Sequence, residues 1–476
     1  MWNREAIREL LNQAFSSEEL KTLCFDTFPA VYEDLGSGMT KGQMIRHLLD
    51  YCLHEETMEL LLERVKERRG AKYRRFEPQL RRVELQDALV VSDDTRPGGE
   101  LFDLRIRVFG TKQDNAVYPT EALLGDGSQN QGEFRLDAEG LRAVELDPRR
   151  YGRRLFEALF HGDMRRAYDN ASLLAQERAG GWLRLRLWID RAAYELHALA
   201  WEQLHYPLHG AWQPVAISER MPFSRYVGLE AQEPPPIDER PLRMLAAVAN
   251  PADLAHRGLE RLDVAAEVEG LAAALGGLQQ AGKLDVTWMP GQTGLPDELR
   301  ARLARERFCF QDGPTSTANL IRALSAGEGY DILHFVGHGA FSRRDQQAVL
   351  FLEDEAGGTV PVQEAVMAGI LASLQASPRL VFLAACASAA VGAGEEPFVG
   401  LAPRLVQVGI PAVVAMRKKI PIARAGELAG NFYTSLLEHG LVDRALNRAR
   451  LMLYQSSGAD WSTPVLYMRL KEGRLI

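Results

Sequence analysis

Two residues with the means for nucleophilic chemistry stand at similar places in the last third of the chain. His338 falls near the end of Asp331–Gly339, DILHFVGHG, and Cys386 near the end of Leu380–Ser388, LVFLAACAS. Short apolar runs of this kind read as buried strands, so each reactive side chain is delivered just past a strand. A cysteine thiol titrates near 8.5 and is mostly protonated at neutral pH; a neighbouring imidazole is the usual means of raising its thiolate fraction. The pair therefore points to a thiol nucleophile, Cys386, with His338 as its base. Attack on a carbonyl creates an oxyanion that backbone N–H groups can stabilise. Gly339, lacking a side chain, lets substrate approach its amide closely, and the Cys386 amide would be the second donor.

Blander readings compete with this one. A free cysteine after an apolar strand is often a small buried hydrophobe. His334, within the first strand, reads as a core histidine rather than a base. His334 and His338 are four apart, a zinc spacing on a helix, but this segment is strand-like and lacks the glutamate of that motif. Neither a metal site nor a cofactor is expected. Glu353 and Asp354 follow another strand, Ala348–Leu352, and would bring acidic groups to the same rim.

The elements around these residues alternate. Pro241–Ala249, Leu284–Trp288, Asp331–Val336, Ala348–Leu352 and the run from Leu380 read as strands. Helical patterns lie over Glu267–Gln280, Leu295–Arg305, Asn319–Leu324 and Val362–Leu374. Such alternation implies a mostly parallel sheet with helices on both faces, whose ligand sites gather at the carboxyl ends of the strands. Upstream, Leu101–Phe109 and Leu183–Ile189 alternate apolar and polar residues as half-buried strands do. A turn at Gly125–Gly127 is followed by irregular chain to about Phe134, and a helical stretch spans Tyr151–Ala179.

The first 80 or so residues carry helix signals only. Ile7, Leu10, Leu11 and Phe15 share a face, and Ser16 with Glu19 and Thr40 with Gln43 have capping-box spacing. Leu20, Leu23, Cys24, Met44, Ile45, Leu48, Leu49 and Cys52 continue the apolar stripes, so Cys24 and Cys52 read as buried hydrophobes. Lys66–Arg82 is a basic run that reads as a solvated face, and Ser92–Glu100, SDDTRPGGE, as a linker. The expected division is a helical adaptor over 1–82, a linker over 83–100, a non-catalytic α/β part over 101–240 and a catalytic part over 241–476.

Composition narrows the class. The 476 residues are 46% hydrophobic and 25% charged, ordinary values for a folded globular chain. A net charge of -8 argues against nucleic acid as the main partner. No run of apolar residues reaches membrane-span length and the N-terminus lacks a signal-peptide pattern. Four cysteines in so long a chain make no disulfide framework and fit a reducing cytoplasm.

The segments YDILHFVGHGAF and LVFLAACASA resemble the CHAT proteases, caspase-like peptidases of the caspase and separase clan. His338 precedes Cys386 by roughly 50 residues, the order and spacing described for caspase-type proteases. Flanking segments join the resemblance: HALAWEQL (His197–Leu204), PLRMLAAVANP (Pro241–Pro251), GIPAVVAM (Gly409–Met416), NFYTSLLEHG (Asn431–Gly440) and DWSTPVLYMR (Asp460–Arg469). It implies a caspase-like α/β sandwich preceded by a small all-α bundle. It also implies a His338–Cys386 dyad that cleaves a protein substrate through a thioester. Glu353, Asp354, Glu395 and Glu396 would then be candidates for a pocket accepting a basic side chain. SSEELKTLCFDTFPAVY, Ser16–Tyr32, resembles the effector-associated, death-like helical domains of bacterial conflict systems. That likeness implies recruitment through a partner bearing a similar bundle, in a defence or regulated cell-death pathway. Two other functions fit the residues: a catalytically silent scaffold, and a thiol hydrolase of a small ester or amide.

Overall fold

The computed structural model describes residues 4–33, 39–54, 57–80, 101–110, 116–190, 192–208, 211–228, 233–238, 241–342, 347–385, 397–456 and 459–476. The chain divides into two units, residues 1–98 and 99–476. The linker expected over 83–100 lies outside the described residues.

In the first unit the helices are Arg4–Ala14, Ser17–Thr27, Pro29–Glu33, Lys41–His54 and Met58–Leu80. Both capping boxes form. Glu19 accepts from the Ser16 amide at 2.8 Å while the Ser16 hydroxyl accepts from the Glu19 amide. Gln43 likewise accepts from the Thr40 amide at 2.9 Å. Such caps satisfy N–H groups that would otherwise be orphaned, each worth about 1 kcal/mol. Ile7, Leu10, Leu23, Leu48, Leu61 and Val65 are fully buried, and Cys24 and Cys52 lie in the same core, where burial pushes their thiols up to about 11. Part of the basic run is more than a solvated face. Arg68 reaches Asp26 at 2.7 Å and Arg69 donates to the Ala14 carbonyl at 3.0 Å, so these side chains tie the last helix to the first two.

The second unit is built on one large sheet. In chain order its strands are β1 (Phe102–Val108), β2 (Val117–Leu124), β3 (Gln129–Arg135), β4 (Leu183–Ile189), β5 (His205–Leu208), β6 (Ala211–Pro214), β7 (Phe223–Tyr226), β8 (Leu242–Val248), β9 (Leu284–Met289), β10 (Cys309–Phe310), β11 (Ile332–Ser342), β12 (Gln347–Glu353), β13 (Thr359–Gln363), β14 (Leu380–Ala385), β15 (Ala412–Met416) and β16 (Pro464–Met468). The spatial order is β10-β9-β8-β11-β14-β15-β16-β7-β4-β1-β2-β3, with β12 and β13 branching from β11 and β5–β6 a separate hairpin. The first six strands are mutually parallel. β16 is antiparallel to β15, and β7, β4 and β1 then run parallel to β16. The strands before and after position 240 thus hydrogen-bond into a single sheet.

Both faces are covered, as the alternation of strands and helices requires. On one face Leu245, Phe335, Leu383 and Val413 pack against the helices Thr317–Leu324, Glu364–Ser373 and Pro397–Gln407. On the other, His334, Val336, Phe382 and Ala384 meet the helices Val264–Gln280 and Ile422–His439 through Leu271, Ile422 and Ala425. Each fully buried Leu, Val or Phe contributes about 1.5 to 3 kcal/mol. The fold class is therefore the one read from the sequence: a mostly parallel α/β sandwich preceded by a small helical bundle.

Three local expectations are corrected. β3 follows the Gly125–Gly127 turn almost at once and pairs with β2 as a hairpin. β13 precedes the Glu364–Ser373 helix where only helix was expected. The arginines of β4 are buried, not solvent-facing, because each has a carboxylate waiting: Arg184 meets Asp443 at 2.7 Å and Arg186 pairs with Asp103. Arg225 on β7 similarly pairs with Glu202 at 2.7 Å and donates to the Tyr467 hydroxyl. Losing one partner of such a buried pair costs about 3 to 5 kcal/mol, so these charges fasten the β1–β7 region to the C-terminal segments.

Candidate functional site

β11 organises the site. Its first half sits between β8 and β14, with His334 opposite Phe382 and Gly337 opposite Ala385. The strand does not end at Val336 as expected. It runs on through His338 and Gly339 to Ser342, leaving the parallel block and pairing antiparallel with β12, where His338 faces Phe351 and Gly339 faces Leu350. His338 is thus the first residue after the strand changes partners.

Alternation of main-chain groups fixes which way the Gly339 amide points. Pro361 on β13 lies opposite Phe351 and has no N–H to give. The Ala348 amide donates to Glu364 at 3.0 Å. Both place Ala348, Leu350 and Leu352 toward β13, leaving Val349 and Phe351 to exchange hydrogen bonds with Ala340 and His338. The Val336 carbonyl accepts from Ala249, just past β8, so β8 and β12 occupy the same edge of β11. The Gly339 amide consequently faces the opposite edge, the one that β14 borders.

His338 lies on the same face of β11 as His334 and Val336 and is buried. Burial, and then the charge of Lys419 beyond β15, push its imidazole down to about 4, while a hydrogen bond to the Glu260 main chain works in the other direction. At neutral pH the ring is therefore uncharged, the form that can accept a proton. His334 differs. Its ring stacks on Phe382 with centroids 4.6 Å apart, its Nδ1 lies 2.9 Å from the Tyr433 hydroxyl, and burial pushes it down to about 3. It is a core histidine whose hydrogen bond is met by Tyr433.

The acidic candidates separate. Cys386, Glu395 and Glu396 lie outside the described residues. Glu353 does not line a pocket: it is buried, and its oxygens accept from the amides of Asn250 (3.0 Å), Gln292 (2.8 Å) and Thr315 (2.6 Å). Asp354 shapes the turn into β13 by accepting from the Ala356 and Gly358 amides. The Glu353 carboxylate is thus committed through both oxygens, whereas half-buried Asp354 accepts through Oδ1. What the sequence reading did not find is the set Asn250, Glu260, Thr315 and Lys419. Only Asn250 left a trace, as a polar residue between the apolar run of β8 and Pro251.

Among the described residues no three or more His, Cys, Asp or Glu side chains are grouped to hold a metal ion, and no helix is long and apolar enough to cross a membrane.

A parallel block sheathed by helices, with a buried neutral histidine where its central strand changes partners, defines the class: an α/β sandwich with its candidate site at the strand carboxyl ends. The family follows from direct comparison. The CHAT domain model matches residues 149–468, well over half of the chain, and the protein belongs to the CHAT-domain family. The model of effector-associated domain 7 matches residues 7–70. Among solved structures, two crystal structures of the Saccharomyces cerevisiae separase–securin complex are similar, at 11% and 10% identity, each with a TM-score of 0.32. Each match covers 66% of this chain and 18% of the separase-complex chain, so the chain corresponds to a small part of that protein's length. No curated protein matches.

Proposed function

We propose that the protein is a cysteine endopeptidase in which His338 and Cys386 form a catalytic dyad. The observation that carries this reading is the β11–β14 register. His334 faces Phe382 and Gly337 faces Ala385. His338 and Cys386 each stand four residues beyond a member of the first pair and one beyond a member of the second, so continuation of the register would bring them together. In the proposed reaction the neutral imidazole takes the thiol proton, and the thiolate adds to a peptide carbonyl. The oxyanion is held by the amides of Gly339 and Cys386. The imidazolium then protonates the leaving amine, and water, deprotonated by His338, hydrolyses the thioester. The direction of the Gly339 amide supports its part in this.

The proposal extends to organisation. Residues 1–82 would act as a helical adaptor, 83–100 as a linker, 101–240 as a supporting part and 241–476 as the catalytic part, in the cytoplasm of a bacterial defence or regulated cell-death system. The adaptor would recruit a protein with a similar bundle. Membership of the CHAT and effector-associated families supports this, as does the edge-to-face pair Phe25 and Tyr32, exposed at 62% and 41%.

The test compares new protein N-termini in cells expressing the wild-type chain or Cys386→Ala, with the pathway triggered. Cleavage products present with the wild type and absent with the variant are expected. Cleavage that persists with Cys386→Ala refutes the mechanism.

A further inference from the structure

The Glu353 carboxylate is heavily committed near the strand ends. A buried charge is tolerable only where hydrogen bonds replace its lost water, and here three amides do so. They come from three separate segments: Asn250 after β8, Gln292 after β9, and Thr315 before the Thr317–Leu324 helix. The Glu353 amide donates back to the Thr315 carbonyl at 3.1 Å. Three loops are thereby pinned to the end of β12, the strand whose Phe351 pairs with His338.

Asn250 carries the connection further. Its side chain clasps Leu262 in both directions, accepting from the Leu262 amide at 2.8 Å and donating to the Leu262 carbonyl at 3.2 Å. It also donates to the Thr293 hydroxyl at 3.1 Å. This closes the 251–261 loop at its base. Glu260 lies two residues before the clasp, and its main chain takes the hydrogen bond from the His338 ring.

We infer that Glu353 and Asn250 are positioning residues for His338: the carboxylate fixes Asn250, Asn250 fixes Leu262, and the loop so closed holds the Glu260 carbonyl against the imidazole. A ring nitrogen that donates to a fixed carbonyl leaves the other nitrogen as acceptor, the tautomer a base for a thiol needs. The inference rests on the proposed dyad and deepens it. Glu353 and Asn250 touch neither substrate nor thiol; they act through the histidine.

The test is the pH dependence of Cys386 alkylation by iodoacetamide, followed on the Cys386 peptide by mass spectrometry in the full-length chain. Wild type is compared with His338→Ala, Glu353→Gln and Asn250→Ala. In wild type the reactivity of the thiol is expected to persist well below the ordinary thiol range, because uncharged His338 takes the proton as the sulfur reacts, and His338→Ala should move the profile up toward about 8.5. Glu353→Gln and Asn250→Ala should move it the same way, with alkylation near neutral pH slowed by up to about 10²-fold, the scale of an ångström of misplacement. A purely structural carboxylate would leave the profile of the folded variants where wild type has it. A shift with His338→Ala but none with Asn250→Ala overturns the positioning role while leaving the dyad standing. No shift with His338→Ala removes the base itself and this inference with it. Asn250→Ala retains its main-chain amide for Glu353 and decides the matter if Glu353→Gln does not fold.

Discussion

Gly291 and Gly294 lie in one loop after β9 and share a left-handed backbone, with φ of +71° and +67°, yet alanine should be tolerated very differently at the two. An L-residue in this conformation costs about 1 to 2 kcal/mol. At Gly294 that is the whole cost, because a Cβ there meets no atom within 4 Å. At Gly291 it would stand 2.6 Å from Glu353 Oε1, 2.8 Å from the Val248 carbonyl oxygen and 2.9 Å from Glu353 Oε2. Neither neighbour can yield cheaply. Glu353 is held by its amides, and the Val248 carbonyl accepts from the Thr315 hydroxyl at 2.7 Å. Overpacking of this kind adds about 1 to 3 kcal/mol, so Gly291→Ala should destabilise by about 2 to 5 kcal/mol in all. Urea unfolding followed by tryptophan fluorescence reads both variants, since Trp288 on β9 is buried beside the loop. Equal midpoints for the two variants would refute the claim that the Glu353 site is rigid.

Two further outcomes are expected. Burial pushes His197 and His338 down to about 4 and His334 and His439 down to about 3, against about 6.5 in the unfolded chain. The unfolded chain then binds more protons than the native one below pH ~6.5, so stability is full above that value and falls as pH drops toward 4, by about 1.4 kcal/mol per pH unit for each histidine fully engaged. Denaturant midpoints measured between about pH 6.5 and 5, above the ordinary carboxylate range, should fall steadily; a flat response contradicts these assignments. Among the three described cysteines, exposed Cys309 should react first with a disulfide reagent, while Cys24 and Cys52 should react only on unfolding. Rapid modification of either buried thiol in the folded chain would refute its placement.

Periodicity was legible where neighbours along the chain decide the outcome. The apolar runs at β8, β9 and β14, the helix over Glu267–Gln280 and both capping boxes follow from local pattern alone, and His334 was recognisable as core because it sits inside an apolar run. Pairing between distant residues was not legible. The exchange of partners by β11 at His338 depends on β12 lying on the edge that β8 vacates, which no property of HGAF announces. Arg184 and Arg186 look solvent-facing in LRLRLWI until Asp443 and Asp103 are brought against them. Glu353 looks like one acid of an exposed EDE loop, and becomes a structural acceptor only when Asn250, Gln292 and Thr315 converge on it.

The two histidines of β11 show how one strand face can serve two purposes. His334 and His338 are four residues apart on the same face, and burial lowers both. His334 is closed in by the Phe382 ring and the Tyr433 hydroxyl, an arrangement that gives its imidazole no exchangeable partner from solvent. At His338 the parallel block has ended, Gly339 has turned its amide toward the β14 edge, and the ring meets a main-chain carbonyl where His334 meets a hydroxyl. A carbonyl accepts and cannot donate, so it selects one tautomer and stabilises the protonated ring, offsetting part of the burial that His334 bears in full. In the proposed dyad this matters twice: the imidazole starts as an uncharged acceptor, and once it has taken the thiol proton the same carbonyl, together with the thiolate, holds the cation that must protonate the leaving amine.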